Sequence, residues 1–216
     1  MLNSIEDALL DIKNGKMIIV VDDENRENEG DFIMAAEHAT PEAINFMITQ
    51  GKGLVCAPIS NELAIKFGLN PMVERNEDSM QTAFTVSIDA KENITTGISS
   101  FDRAHTLKLL TKKDTTAADF SRPGHVFPLI AKDGGVLTRE GHTEAAIDLA
   151  LLNGLAPAGI ICEILDEDGL AMRLPELLRM SKRFDLKLIS IEALIDYKKK
   201  VLNINESEIT ETRIDL

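Results

Sequence analysis

The chain has 216 residues, 44% of them hydrophobic and 27% charged, an ordinary balance for a folded protein long enough to bury a substantial core. Thirty-six acidic against 23 basic residues give a formal net charge of −13, which argues against a nucleic-acid partner, because neutralising phosphates needs a Lys/Arg surplus or a concentrated basic face. No apolar run reaches the roughly 18 residues of a membrane span, MLNSIEDALLDI lacks a cationic leader with a cleavage site, and Cys56 and Cys162 form no CxxC pair. A protein of the cytoplasm with reduced thiols and no membrane partner is expected.

Ser4 with Asp7 forms a capping box, and Ile5, Ala8, Leu9 and Ile12 share one helical face before Gly15. MIIVV then predicts a strand, the acidic run follows, and FIMAA predicts a second strand. Thr40 and Pro41 open a helix to about Thr49, LVCAPI predicts a buried strand, and Ser60 caps a helix that Gly68 closes. In AFTVSI, Phe84, Val86 and Ile88 alternate with Thr85 and Ser87, the period of a strand with one covered face. Ser99 with Asp102 starts a helix carrying Leu107 and Leu110.

The next stretch, KKDTTAADFSRPGHVFPLIAKDGGVLTREGHT, has few periodic signals and is expected to be a long functional or mobile loop. A helix runs from Thr143 to Gly154, GIICEILD and GLAMRL predict paired strands, and Pro175 begins a further helix. LKLISI and the segment Glu192 to Tyr197 complete the core. Helices and strands interspersed along the chain predict an α/β (α+β) fold, a three-layer α/β/α sandwich around a mixed sheet. No linker or repeat divides the chain, so one domain over residues 1–216 is expected, with the end INESEITETRIDL loosely held.

Six carboxylates lie within ten residues after the first strand: Asp22, Asp23, Glu24, Glu27, Glu29 and Asp31, with Arg26 the only cation among them. Crowded like charges favour neutral forms unless something positive sits between them, so the run points to a divalent cation. Two flanking strands, Arg26 and Gly30 make a defined loop the expectation rather than a solvated spacer. A second constellation is TREGHTEAA. Thr143 stands where a helix begins, Arg139 offers a fork of donors and His142 shares the space, together an anion site with a further metal ligand to hand.

Glu163 interrupts an apolar strand, where a carboxylate is costly unless it points into a cleft; an outward position on a hairpin is the even alternative. His125 in SRPGHVFPL is a candidate acid or base, although lone loop histidines are more often merely exposed. His38 and His105 lack an acid cluster, and Cys56 in GLVCAP is most simply a buried small hydrophobe.

Taken in order, DDENRENEGDFIMAAEHAT, GLVCAP, TGISSFDRAHT, RPGHVFPL, RxGHTEAAIDLA from Arg139 and the ICEI strand closely resemble 3,4-dihydroxy-2-butanone 4-phosphate synthase of riboflavin biosynthesis, nearly end to end and in its single-function form. The resemblance implies a lyase that takes D-ribulose 5-phosphate to 3,4-dihydroxy-2-butanone 4-phosphate and formate. It further implies a homodimer with sites at the interface and Mg²⁺ or Mn²⁺ as cofactor, up to two ions per site. By the same resemblance Glu27 and His142 are metal ligands, and Arg26, Glu27, Asp31, Arg139, Glu140, Gly141, His142, Thr143 and Glu163 contact substrate. His125 and Glu163 are required for catalysis, Asp31 shares the proton transfers, and Glu29 and Cys56 complete the pocket wall. Two other readings use the same residues: a metal-dependent phosphatase or phosphosugar isomerase, and a non-catalytic module for divalent cations or phosphosugars. Formate release separates the synthase from both.

Overall fold

The computed structural model describes residues 2–203, so the expected loose end lies outside the described residues. Ser4 Oγ accepts the Asp7 amide at 3.1 Å and starts α1 (Ile5–Lys13), which turns Ile5, Ala8 and Ile12 inward. β1 (Ile18–Val21) follows, and across the acidic loop β2 (Gly30–Ala35) pairs with it antiparallel. Thr40 caps α2 (Pro41–Phe46), which runs on as a wider π turn to Gly51. β3 (Cys56–Ile59) leads to Ser60, the cap of α3 (Asn61–Phe67), which ends on Gly68 in the left-handed region. Next come β4 (Ile88–Ala90), α4 (Ser100–Leu109), β5 (Phe120–Ile130) and α5 (His142–Leu152). β6 (Gly159–Glu163), α6 (Leu174–Phe184), β7 (Leu188–Ser190) and α7 (Ile191–Leu202) complete the described chain.

The strands form one mixed seven-stranded sheet in the order β4-β5-β3-β6-β2-β1-β7. β1 with β7 and β3 with β5 are parallel, and the other neighbours are antiparallel. Side chains alternate across the pleat, so each central strand feeds two cores. Ile19, Val21, Phe32, Met34, Ala57 and Ile160 pack beneath α2, α3, α4 and α6. Ile18, Val20, Ile33, Ala35, Cys56 and Ile161 pack beneath α1, α5 and α7. The three-layer α/β/α sandwich around a mixed sheet is borne out.

Three local expectations are corrected. The segment around His125 is no loop: residues 120–130 form β5, at eleven residues the longest strand described. Pro123, Gly124 and Pro128 suppress the strand signal there, and residues 120–126 have only β4 beside them, so Arg122, Pro123 and His125 stay exposed. AFTVSI becomes a strand only from Ile88; upstream it touches its neighbours through isolated bridges, Thr85 to Pro71 and Phe84 to Leu129. The late hairpin shrinks to one bridge, Leu165 to Ala171, around a turn held by Asp166 Oδ1 on the amides of Asp168 and Leu170, both at 2.9 Å.

Candidate active site

The acidic run folds around its own first residue. Asp22, whose side chain is wholly buried, accepts the amides of Glu27 at 3.1 Å and Glu29 at 2.8 Å and the Arg26 guanidinium at 2.8 Å. Arg26 also reaches Glu27 Oε2 at 2.5 Å, and Arg173, just before α6, donates to the carbonyls of Glu27 and Asn28. This is a built loop rather than a solvated spacer. Asp22 and Arg173 went unassigned in the sequence because a loop-tying carboxylate looks like any other member of a charge run.

β2 begins two residues earlier than the apolar run suggested, at Gly30, and this places Asp31 on the strand. Its neighbour in register on β6 is Glu163, so the two carboxylates project side by side on the face beneath α5. Alternation thus settles the even choice for Glu163: it lines the cleft. Glu163 Oε2 accepts the Leu54 amide at 2.8 Å, and a Cβ on Gly53 would stand 2.5 Å from the same oxygen, so only glycine lets this backbone approach. Burial first, then repulsion from Glu163, Glu27, Glu29 and Asp22, pushes the Asp31 carboxyl well above the ordinary range. Glu29 is raised for the same reasons, burial before Glu27.

His142, the first residue of α5, is 6% exposed and sits over this carboxylate pair. Its Nε2 lies 3.1 Å from the Val20 carbonyl, which can only accept, so the proton is on Nε2 and the Nδ1 lone pair is free. Nδ1 stands 3.9 Å from both Glu27 Oε2 and Asp31 Oδ1. That spacing is too long for a hydrogen bond and suits donors sharing a small cation whose bonds run about 2.1 Å. One ligand atom each from Asp22, Glu27 and His142 lie within 4.8 Å of one another. Burial also depresses the His142 pKa, keeping the ring in its neutral, ligating form. The residues present therefore fit a divalent cation.

The wall opposite is less free than the sequence suggested. The Arg139 guanidinium bonds Glu144 at 2.6 Å, the Met80 carbonyl at 3.1 Å and Thr82 Oγ1 at 3.3 Å, while Glu144 also accepts the Lys132 amide at 3.0 Å. Arg139 thus straps the segment around Thr82 to α5 as well as lining the cleft. Gly141 caps α5 without a side chain, which leaves the amides of the first turn, beside Thr143, for an anion.

The cleft of about 120 Å³ collects Arg26, Glu27, Glu29, Asp31, Cys56, Arg139, His142, Thr143 and Glu163, and adds Thr82, Phe84, Leu129 and Ile161. Small and polar-lined, it suits a small hydrophilic occupant. Of the sequence candidates, buried Gly141 and exposed Glu140 and His125 do not line it. Residue 125 lies on the part of β5 that overhangs β3, two residues past the pairing of Cys56 with Phe127. Burial pushes the thiol pKa of Cys56 and Cys162 far up, the two lie in opposite cores, and both are free.

The family model for 3,4-dihydroxy-2-butanone 4-phosphate synthase matches residues 6–197. A riboflavin biosynthesis protein RibBA from Bacillus mycoides is 58% identical over 212 residues, 97% of this chain and 53% of that protein, so the chain spans about half the length of the curated relative. A crystal structure of 3,4-dihydroxy-2-butanone 4-phosphate synthase in complex with two magnesium ions matches with a TM-score of 0.90 at 40% identity, covering 92% of this chain and 98% of that one. RibBX from A. baumannii, a two-domain 3,4-dihydroxy-2-butanone 4-phosphate synthase, gives 0.88 at 46% identity, over 91% of this chain and 58% of its own. With this match along nearly its whole length, and with the paired carboxylates and the histidine it brings together, the chain belongs to the 3,4-dihydroxy-2-butanone 4-phosphate synthase family.

Proposed function

We propose that residues 1–216 act as one catalytic unit, a lyase of riboflavin biosynthesis that converts D-ribulose 5-phosphate to 3,4-dihydroxy-2-butanone 4-phosphate and formate. The observation that carries this reading is the His142 Nδ1 lone pair facing Glu27 and Asp31, beside Glu163 in register. Glu27 and His142 hold Mg²⁺ or Mn²⁺, with Asp22 the third group in reach and one or two ions per site. When bound, the ion supplies positive charge beside the oxygen atoms of a ketose that loses a proton next to its carbonyl.

The chain's own groups do the rest. Asp31, its carboxyl raised above the ordinary range by burial and the neighbouring acids, is suited to hold and return a proton, and Glu163 shares that task from the adjacent strand. Arg26, Arg139, Thr143 and the first-turn amides of α5, with Gly141 leaving them uncapped, hold the phosphate. Glu29 and Cys56 close the floor.

His125 serves the cleft of a second copy in a homodimer. Supporting this are its exposed ring, its place outside its own cleft, and the exposed apolar residues Val86 and Ile98, each next in sequence to a residue, Ser87 or Gly97, that packs against the Gly124–His125 backbone or ring. A cytoplasmic location fits the two buried free thiols, and among the described residues no helix is long and apolar enough to cross a membrane. The test is formate release from ribulose 5-phosphate and Mg²⁺: the synthase releases it, whereas a phosphatase or isomerase does not.

A further inference from the structure

We propose that Asp89 is a positioning residue for the reaction, fixing the His125 ring as the Nδ1–H tautomer so that Nε2 is the atom that takes and returns a proton. The inference rests on the reading of His125 given above. Asp89 is 6% exposed, and its two oxygens grip the same residue twice: Oδ1 accepts the His125 amide at 2.9 Å and Oδ2 lies 2.7 Å from Nδ1. Oδ1 is therefore committed, and Oδ2, which can only accept from Nδ1–H, sets the tautomer. The ion pairs of the described residues give Asp89 no other basic partner. Nε2 carries no hydrogen bond among the described residues, on a side chain that is 42% exposed.

The surrounding structure supports this grip. The β4–β5 ladder shifts register between Ile88 and Asp89, pairing Ile88 with Val126 but Asp89 with Ser121, so the carboxylate replaces the ladder partner that the His125 amide would have had. Ser87 Oγ accepts the Gly124 amide at 3.1 Å and secures the same bulge. Above the ring, Gly97 has φ +97°, and a Cβ there would stand 2.6 Å from Nδ1. Gly97 is in turn held by Asp102, which accepts its amide at 3.0 Å and both the amide and the hydroxyl of Thr95. Asp102 thus acts on the ring at one remove. A loop histidine that merely faces water has no use for a buried carboxylate, a bulge and a glycine built around one of its nitrogens.

The sharpest variant is Asp89→Asn. Its amide oxygen must accept the His125 backbone N–H, which turns the NH₂ toward Nδ1 and forces the opposite tautomer without removing any atom from the packing. Full-length wild type, Asp89→Asn and His125→Gln, labelled with ¹⁵N-histidine, are compared by ring-nitrogen shifts at a pH where the ring is neutral, and by kcat and KM for ribulose 5-phosphate with Mg²⁺; the His125 signals are those lost in His125→Gln. The expected result is Nδ1–H in wild type, Nε2–H in Asp89→Asn, and a kcat lowered about 100-fold or more with KM within about twofold. Nε2–H in wild type, or a reversed tautomer with undiminished kcat, overturns the proposal. If Asp89→Asn fails to fold, the wild-type spectrum decides alone. Full turnover by His125→Gln removes the role of His125 itself, whereas an inactive His125→Gln beside a fully active Asp89→Asn removes only that of Asp89.

Discussion

At the scale of single residues, the two carboxylates in register set a conflict between stability and chemistry. Asp31 is buried among four other acids, and its raised pKa means that its contribution to stability is present below about pH 4 and lost as pH rises through the folded-state value. Asp31→Asn should therefore raise the melting temperature of the metal-free protein by a few degrees, on the order of 1 kcal/mol, with the gain growing as pH rises above about 4, while formate production falls. A gain that shrinks with rising pH would contradict this. Gly53→Ala should cost about 1–3 kcal/mol and displace Glu163, since the new Cβ meets Oε2 at 2.5 Å; denaturant midpoint and turnover should fall together. His142→Ala should weaken cation binding about 100-fold or more while the melting curve stays cooperative, readable by titration calorimetry with Mn²⁺. Much of this centre was legible in the sequence, because RENEGD and GHT carry unusual residue types at short spacing. The Nε2 bond to Val20 was not: it depends on a carbonyl that any residue would supply.

At the scale of elements, the caps were readable from the chain and the longest strand was not. Ser4, Thr40, Ser60 and Ser99 each accept the amide three residues on, as their spacing predicted, because capping is a local property. β5 was hidden because its residues answer to tertiary surroundings: two prolines and a glycine are tolerated where one side of the strand lacks a full ladder. The loop that Asp102 organises shows the same dependence. Burial would raise that carboxyl, but hydrogen bonds from Thr95, Gly97 and Ser99 win and hold its pKa at about 2. A depressed acid contributes stability above its unfolded value near 4, lost as pH falls toward 2. Asp102→Asn should accordingly cost about 2–4 kcal/mol at pH 7 and flatten the acid limb between pH 4 and 2, measured by urea unfolding. An acid limb as steep as that of wild type would rule this out.

At the scale of the whole molecule, the sheet divides the site. It brings Glu27, Asp31, Glu163 and His142 together from the loop after β1, from β2, from β6 and from α5, yet leaves His125 on the overhang of β5. The proposed homodimer, in which a second copy completes each cleft, would account for both facts. Mixing His142→Ala with His125→Gln should then restore about a quarter of wild-type turnover, because half the dimers are mixed and one of their two sites is whole. No recovery, or a monomeric mass with full activity, would contradict the shared site. The most direct test of the central claim is to incubate the protein with D-ribulose 5-phosphate and Mg²⁺, with and without a chelator, and measure formate. One formate per ketose consumed, abolished by chelation and restored by added Mg²⁺, is the predicted result; consumption of substrate without formate, or release indifferent to chelator, would contradict it.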